Sequence, residues 1–86
     1  MIISASEKTY ISTTGTTTVF SGGGILRKVI IGTTAAGAIT LVDGSTPFAE
    51  LKSSIVENTY VYDVVIEDSL YVVCAATPLV TITWEK

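Results

Sequence analysis

Leu79-Val80-Thr81-Ile82-Thr83-Trp84-Glu85 alternates without a break. Val80, Ile82 and Trp84 fall on one side and Thr81, Thr83 and Glu85 on the other, the period of two that a β-strand imposes on its side chains. One side is largely apolar and the other polar, so this strand has a dry face and a wet face, as strands of antiparallel sheets do. Four of its seven residues are β-branched, stiff at χ1 and poor in helices. The same chemistry runs through the chain, which holds 10 Val, 10 Ile and 14 Thr among 86 residues. That composition excludes a helical bundle and a coiled coil. A mean hydropathy of +0.57 is the reverse of what a disordered chain shows.

Upstream of this strand the punctuation is regular. Thr77-Pro78 turns the chain out of Leu70–Ala75, and Glu67-Asp68-Ser69 separates that run from Tyr60–Ile66, which reads as a short hairpin. In Tyr60–Ile66 both faces are largely apolar, as suits a central strand or one with a side facing a partner. Thr46–Val56 reads as a short strand around Phe48–Lys52 followed by a loop. A single helical turn is the alternative, because Pro47 suits a first turn and Phe48, Leu51 and Ile55 stand at spacings of three and four. Asp43-Gly44 is a strong turn dipeptide closing the strand Ala38–Val42. Thr33–Gly37 reads as a loop of small residues, and Ile25–Ile31 as a dense strand behind the Gly22-Gly23-Gly24 triplet. A Thr-rich opening, Tyr10–Phe20, breaks at Gly15. The expectation is all-β: one domain over residues 1–86, a small β-sandwich or jelly-roll-like barrel of about seven to eight mostly antiparallel strands. Residues 1–12 read either as part of it or as an extended arm that orders on assembly.

Charge narrows the partners. The chain carries five cations, Lys8, Arg27, Lys28, Lys52 and Lys86, against eight carboxylates, for a net −3. The cations read as scattered, and the adjacent Arg27 and Lys28 as pointing to opposite faces of a strand. Without a basic patch, nucleic-acid binding is not expected. The longest apolar run, Leu70–Ala76, has seven residues, far below the ~20 of a membrane-crossing helix, so no membrane is expected either. Ile2 and Ile3 are followed by Ser4, Ser6, Glu7 and Lys8, too short and polar a stretch for a signal sequence. Charged residues are only 15% of the chain, and a surface so poor in charge suits burial against other protein surfaces.

Little here points to catalysis. There is no histidine, the commonest general base and metal ligand, and Cys74 reads as a small core thiol. Asp43 and Asp63 would be the pair to converge for acid/base work, although a turn aspartate and a strand aspartate are the simpler readings. Gly22-Gly23-Gly24 lacks the Gly-Lys-Ser/Thr ending of a phosphate loop and reads as a flexible turn. No catalytic residue, cofactor or metal site is expected. Seven aromatics on an all-β scaffold leave a carbohydrate-binding or adhesin-like module as the alternative to a structural role. In it a glycan would stack on Trp84 or on two exposed tyrosines.

From Gly24 onward the order of features resembles a recurrent type of small virion protein from tailed bacteriophages. The residues that carry the resemblance are Gly24-Ile25-Leu26-Arg27-Lys28-Val29-Ile30-Ile31, Thr40-Leu41-Val42-Asp43-Gly44, Tyr60-Val61-Tyr62-Asp63, Leu70-Tyr71-Val72-Val73 and Val80-Thr81-Ile82-Thr83-Trp84-Glu85, motifs spread over a stretch of about 60 of the 86 residues. The sequence departs from that pattern at Asp68-Ser69-Leu70, where Asn-Gly-Leu would be favoured. The resemblance implies a capsid decoration (cement), head-fibre or tail-associated protein, a compact sandwich that assembles as a homotrimer. It also implies contacts with other virion proteins and assembly in the host cytoplasm. The residues expected at such an interface are Tyr10 in the Thr-rich opening and Tyr60, Tyr62 and Val64 in the doubly apolar strand.

Overall fold

Runs of Val, Ile and Thr cut by Gly, Pro and Asp leave extended backbone as the local preference almost everywhere. The computed structural model describes residues 7–33 and 37–86, and among them the chain forms strands without a helix. They are β1 (Glu7–Ile11), β2 (Gly15–Ser21), β3 (Gly24–Thr33), β4 (Ile39–Asp43), β5 (Thr46–Leu51), β6 (Thr59–Ile66), β7 (Ser69–Cys74) and β8 (Leu79–Glu85). Residues 1–6 of the expected arm, and part of the Thr33–Gly37 loop, lie outside the described residues. The remainder of that arm contains β1, hydrogen-bonded along β8 with Ile11 in the core.

Two four-stranded sheets result. The front sheet runs β1-β8-β3-β6 and the back sheet β2-β7-β4-β5. All pairings are antiparallel, and four of them nest: β4 with β5, β3 with β6, β2 with β7 and β1 with β8. The chain is thus one long ribbon of paired strands, with the β4–β5 hairpin at its tip. Rolling that ribbon up sets β3 beside β8 and β4 beside β7. This is the strand order of a jelly roll, one of the two architectures expected.

The core is what the period of two delivers. On the front sheet, Ile11, Val80 and Ile31 stand in one row across three strands, and Ile82, Val29 and Tyr60 in the next. The back sheet answers with Leu41 beside Val72 and with Ile39 between Cys74 and Leu51. Leu26, Val29, Val80, Ile82, Leu41, Leu70 and Val72 have no exposed surface at all. Val80 and Ile82 therefore lie on the dry face read from the sequence, with Trp84 half-buried beside them.

Two expectations need correction. Glu67-Asp68-Ser69 does not close a hairpin: β6 pairs with β3, β7 pairs with β2 and β4, and Glu67-Asp68 carries the chain from one sheet to the other. A two-residue hairpin needs a positive φ in its turn, and neither Glu67 nor Asp68 has one. Nor is β6 central, since it forms the free edge of the front sheet. The ambiguous Thr46–Val56 segment is a strand followed by a turn, in which Ile55 N–H donates to the Lys52 carbonyl at 3.2 Å and Ser54 sits at φ 58°.

Because Leu41 is fully enclosed between the sheets, Leu41→Ala is expected to cost roughly 2–5 kcal/mol in urea unfolding. Thr16→Ala, on an exposed outer position of β2, is expected to stay within about 0.5 kcal/mol of the parent.

Candidate functional site

The outer face of the front sheet is shaped by an irregularity in β3. Its register to β8 runs from Leu26↔Trp84 directly to Lys28↔Thr83, and to β6 from Leu26↔Val64 to Lys28↔Val61. Leu26 and Val29 both point into the core although they are three residues apart. Arg27 and Lys28 consequently both turn outward, and the expectation that they occupy opposite faces is overturned by a β-bulge. Arg27 reaches Glu85 on β8 through Nε and Asp63 on β6 through Nη1, the latter at 3.2 Å. Both contacts raise the guanidinium pKa, Glu85 more than Asp63. Asp63 itself has φ 52°, the left-handed region that bulges exploit, and it falls where β6 carries one residue more than β3. The Asp63 pair is solvent-exposed and the Glu85 pair part-buried, and what they fix is direction: one cation spans two strands and both carboxylates.

Cross-strand rows complete this face. Tyr10, Thr81, Ile30 and Thr59 form one, and Lys8, Thr83, Lys28 and Val61 the next. Ile25 lies between Glu85 and Val65. Tyr10, Val61 and Val65 are exposed at 62%, 62% and 67%, and Lys8 and Lys28 are exposed as well. Thr83 Oγ1, between the two lysines, is buried without a hydrogen-bond partner among the described residues. Three of the five cations meet here, so the reading of scattered cations fails.

The structure divides the residues expected at an interface. Tyr10 stands on this outer face. Tyr60, Tyr62 and Val64 belong to the opposite, inward side of β6, where the two tyrosines pack half-buried against the core. The Tyr60 hydroxyl donates to the Val56 carbonyl at 2.6 Å, and burial, with a lesser contribution from Tyr60, raises the Tyr62 pKa. Val61 and Val65, which the sequence analysis did not single out, carry the exposed apolar surface. A signal for them existed: Asp63 shares their side of the strand, and a carboxylate marks the wet face.

A second feature lies at the corner where β6 crosses to β7. Asp43, at the end of β4, accepts hydrogen bonds from the backbone N–H of Glu67 at 3.0 Å and of Asp68 at 2.9 Å, one on each carboxylate oxygen. Gly44 N–H donates to the Ser69 carbonyl at 2.8 Å. The carboxylate therefore ties the ribbon's tip to the sheet crossover, and those donors, that of Glu67 foremost, hold its pKa below the usual range. Gly44 has φ +65°, and a Cβ there would lie 2.7 Å from Asp68 Oδ2. Beside the staple opens a cavity of about 400 Å³ lined by Phe48, Val64, Glu67 and Asp68 among others. Asp43 and Asp63, considered as a catalytic pair, have separate partners and are not brought together.

Trp84 is not an open platform. Its ring packs on Phe20 with centroids 4.9 Å apart, and Nε1 donates to Thr9 Oγ1 at 3.1 Å. Gly24 permits that packing, since a Cβ there would lie 2.8 Å from the Phe20 ring and 2.7 Å from the Glu85 carbonyl oxygen. Cys74 is buried, and burial pushes its thiol pKa up, away from a reactive thiolate. Among the described residues, no three acidic or cysteine side chains are grouped to hold a metal ion. No family model, curated protein or solved structure matches the chain.

The Asp43 staple sets a pH dependence. A carboxylate whose folded pKa is depressed stabilises fully above its unfolded pKa, about 4, and loses that contribution as pH falls through the folded value. Asp43→Ala is expected to lower the melting temperature at pH 7 and to flatten the acid limb of the stability curve below about pH 4. Gly44→Ala is expected to cost about 1–2 kcal/mol from the left-handed backbone alone, measured by urea unfolding at neutral pH.

Proposed function

We propose that the chain is a non-enzymatic structural module that works by packing against other protein surfaces, in the setting of a tailed-phage virion. The observation that carries the reading is the outer face of the front sheet. Three large apolar side chains, Tyr10 on edge strand β1 and Val61 and Val65 on edge strand β6, are more than half exposed there, with the part-exposed Ile25 and Ile30 of β3 between those edges, and apolar side chains spread over one face in this way suit contact with another protein surface. The jelly-roll strand order adds to it, as does the succession of strand and turn motifs from Gly24 to Glu85 that resembles phage decoration, head-fibre and tail-associated proteins. A homotrimer in contact with other virion subunits is the assembly this reading favours.

The adhesin-like alternative draws less support. Its best stacking residue, Trp84, is engaged by Phe20 and Thr9 at the sandwich's inner edge.

Light scattering coupled to size exclusion tests the assembly. A concentration-dependent oligomer, a trimer above all, is expected, and Val61→Thr with Val65→Thr is expected to weaken it at least tenfold while the fold persists, since Thr keeps the β-branched shape. A strict monomer at millimolar concentration would overturn the reading. Capsid and portal genes beside the coding sequence are the expected genomic setting.

A further inference from the structure

The charges of this chain are sorted between two places. The outer face of the front sheet gathers Lys8, Arg27 and Lys28 against Asp63 and Glu85, a net charge of +1 in a chain whose total is −3. Elsewhere two cations stand against six carboxylates. Arg27 bridges both acids of the face in a cluster of net −1, and Lys8 and Lys28, one on either side of Thr83, bring the face to its +1. At the crossover corner, Asp43 is held by backbone donors, whereas Glu67 and Asp68 extend exposed carboxylates beside it. Asp68 has one contact in addition, accepting from Ser69 Oγ at 3.4 Å.

A pair of exposed amines with no acid across the row is self-repelling, and so is a pair of adjacent carboxylates. Each patch supplies what the other lacks. They lie on different parts of the same subunit, so they cannot neutralise one another within it. We infer that the Lys8–Thr83–Lys28 row docks a second copy of this chain, whose Glu67 and Asp68 face the two amines while Val61 and Val65 are covered at the margin.

This inference rests on the proposed packing role and gives it direction. Because the two patches differ, the contact is heterologous, head to tail, and repeats until a ring closes. Opposite charges across an interface chiefly set orientation and encounter rate, while the exposed valines supply apolar area. The strength of association is expected to fall as salt rises from 50 to 500 mM, because the paired groups are exposed and screened.

Charge reversal separates the possibilities. Lys8→Glu with Lys28→Glu makes both patches negative, and Glu67→Lys with Asp68→Lys makes both positive. The second pair leaves the Asp43 staple intact, because its donors are backbone N–H groups. Each double variant alone is expected to sediment as a monomer at a concentration where the parent assembles, with an unchanged circular dichroism spectrum. Mixed in equal amounts, the two are expected to regain association in alternating pairs, each presenting the charge that the other's patch needs, whereas a closed ring of three is not expected from them because an odd ring must contain one like-charged contact. If the parent assembles and both variants assemble equally well alone, this contact is wrong while the packing role stands. Should the parent itself stay monomeric, both fall. Failure of the mixture to assemble would falsify the pairing of these two patches.

Discussion

Among the described residues, only one strand pairing is local. β4 and β5 meet across Gly44-Ser45, whereas β3 must find β6, β2 must find β7, and β1 must find β8 at the other end of the described chain. Loop-closure entropy opposes each of these before any contact rewards it. What makes the search soluble is that every strand has a marked inward set, so a slip of one residue would turn Leu26, Val72 or Ile82 out to water. The jelly roll follows from that demand. The tip forms first in sequence terms, and successive pairs lay down their apolar sides on one shared interior.

Legibility in the sequence tracked how local each feature was. β8 could be read because its alternation is complete within seven residues, and the β4–β5 turn because Asp43-Gly44 carries its own backbone requirement. The Glu67-Asp68 crossover looked like a hairpin, since short polar links between two strands usually are. Which sheet a strand joins depends on partners forty residues away, and nothing in the dipeptide records them. The bulge at Arg27 was equally hidden. It is a relation among three strands, and in the sequence Arg27-Lys28 is simply two residues of a run with period two. For β6 the alternation showed two sides and only Asp63 marked the wet one; Tyr60, Tyr62 and Val64 face inward, half-buried, while Val61 and Val65 meet solvent.

The two outer faces differ in kind. The front carries the Arg27 cluster, two further lysines and three exposed apolar side chains. The back presents Thr16, Thr18, Val73, Thr40 and Val42 around Tyr71, with Glu50 on its edge strand as the charge in those rows. Of the two faces the front is the charged one, and the scarcity seen in the composition is a property of one side more than the other.

The sheet edges carry a last consequence. β6 has its left-handed Asp63, β5 has Pro47 and a register shift beside it, β2 has an unpaired extra residue at Val19, and β1 carries the charged Glu7 and Lys8. Irregular, proline-bearing or charged edges are poor templates for backbone pairing with another chain. Copies of this β-rich, weakly charged protein brought to high local concentration therefore meet edges that resist zipping into a continuous cross-strand fibril, and any association is left to side chains, whose fit is specific and whose growth can stop.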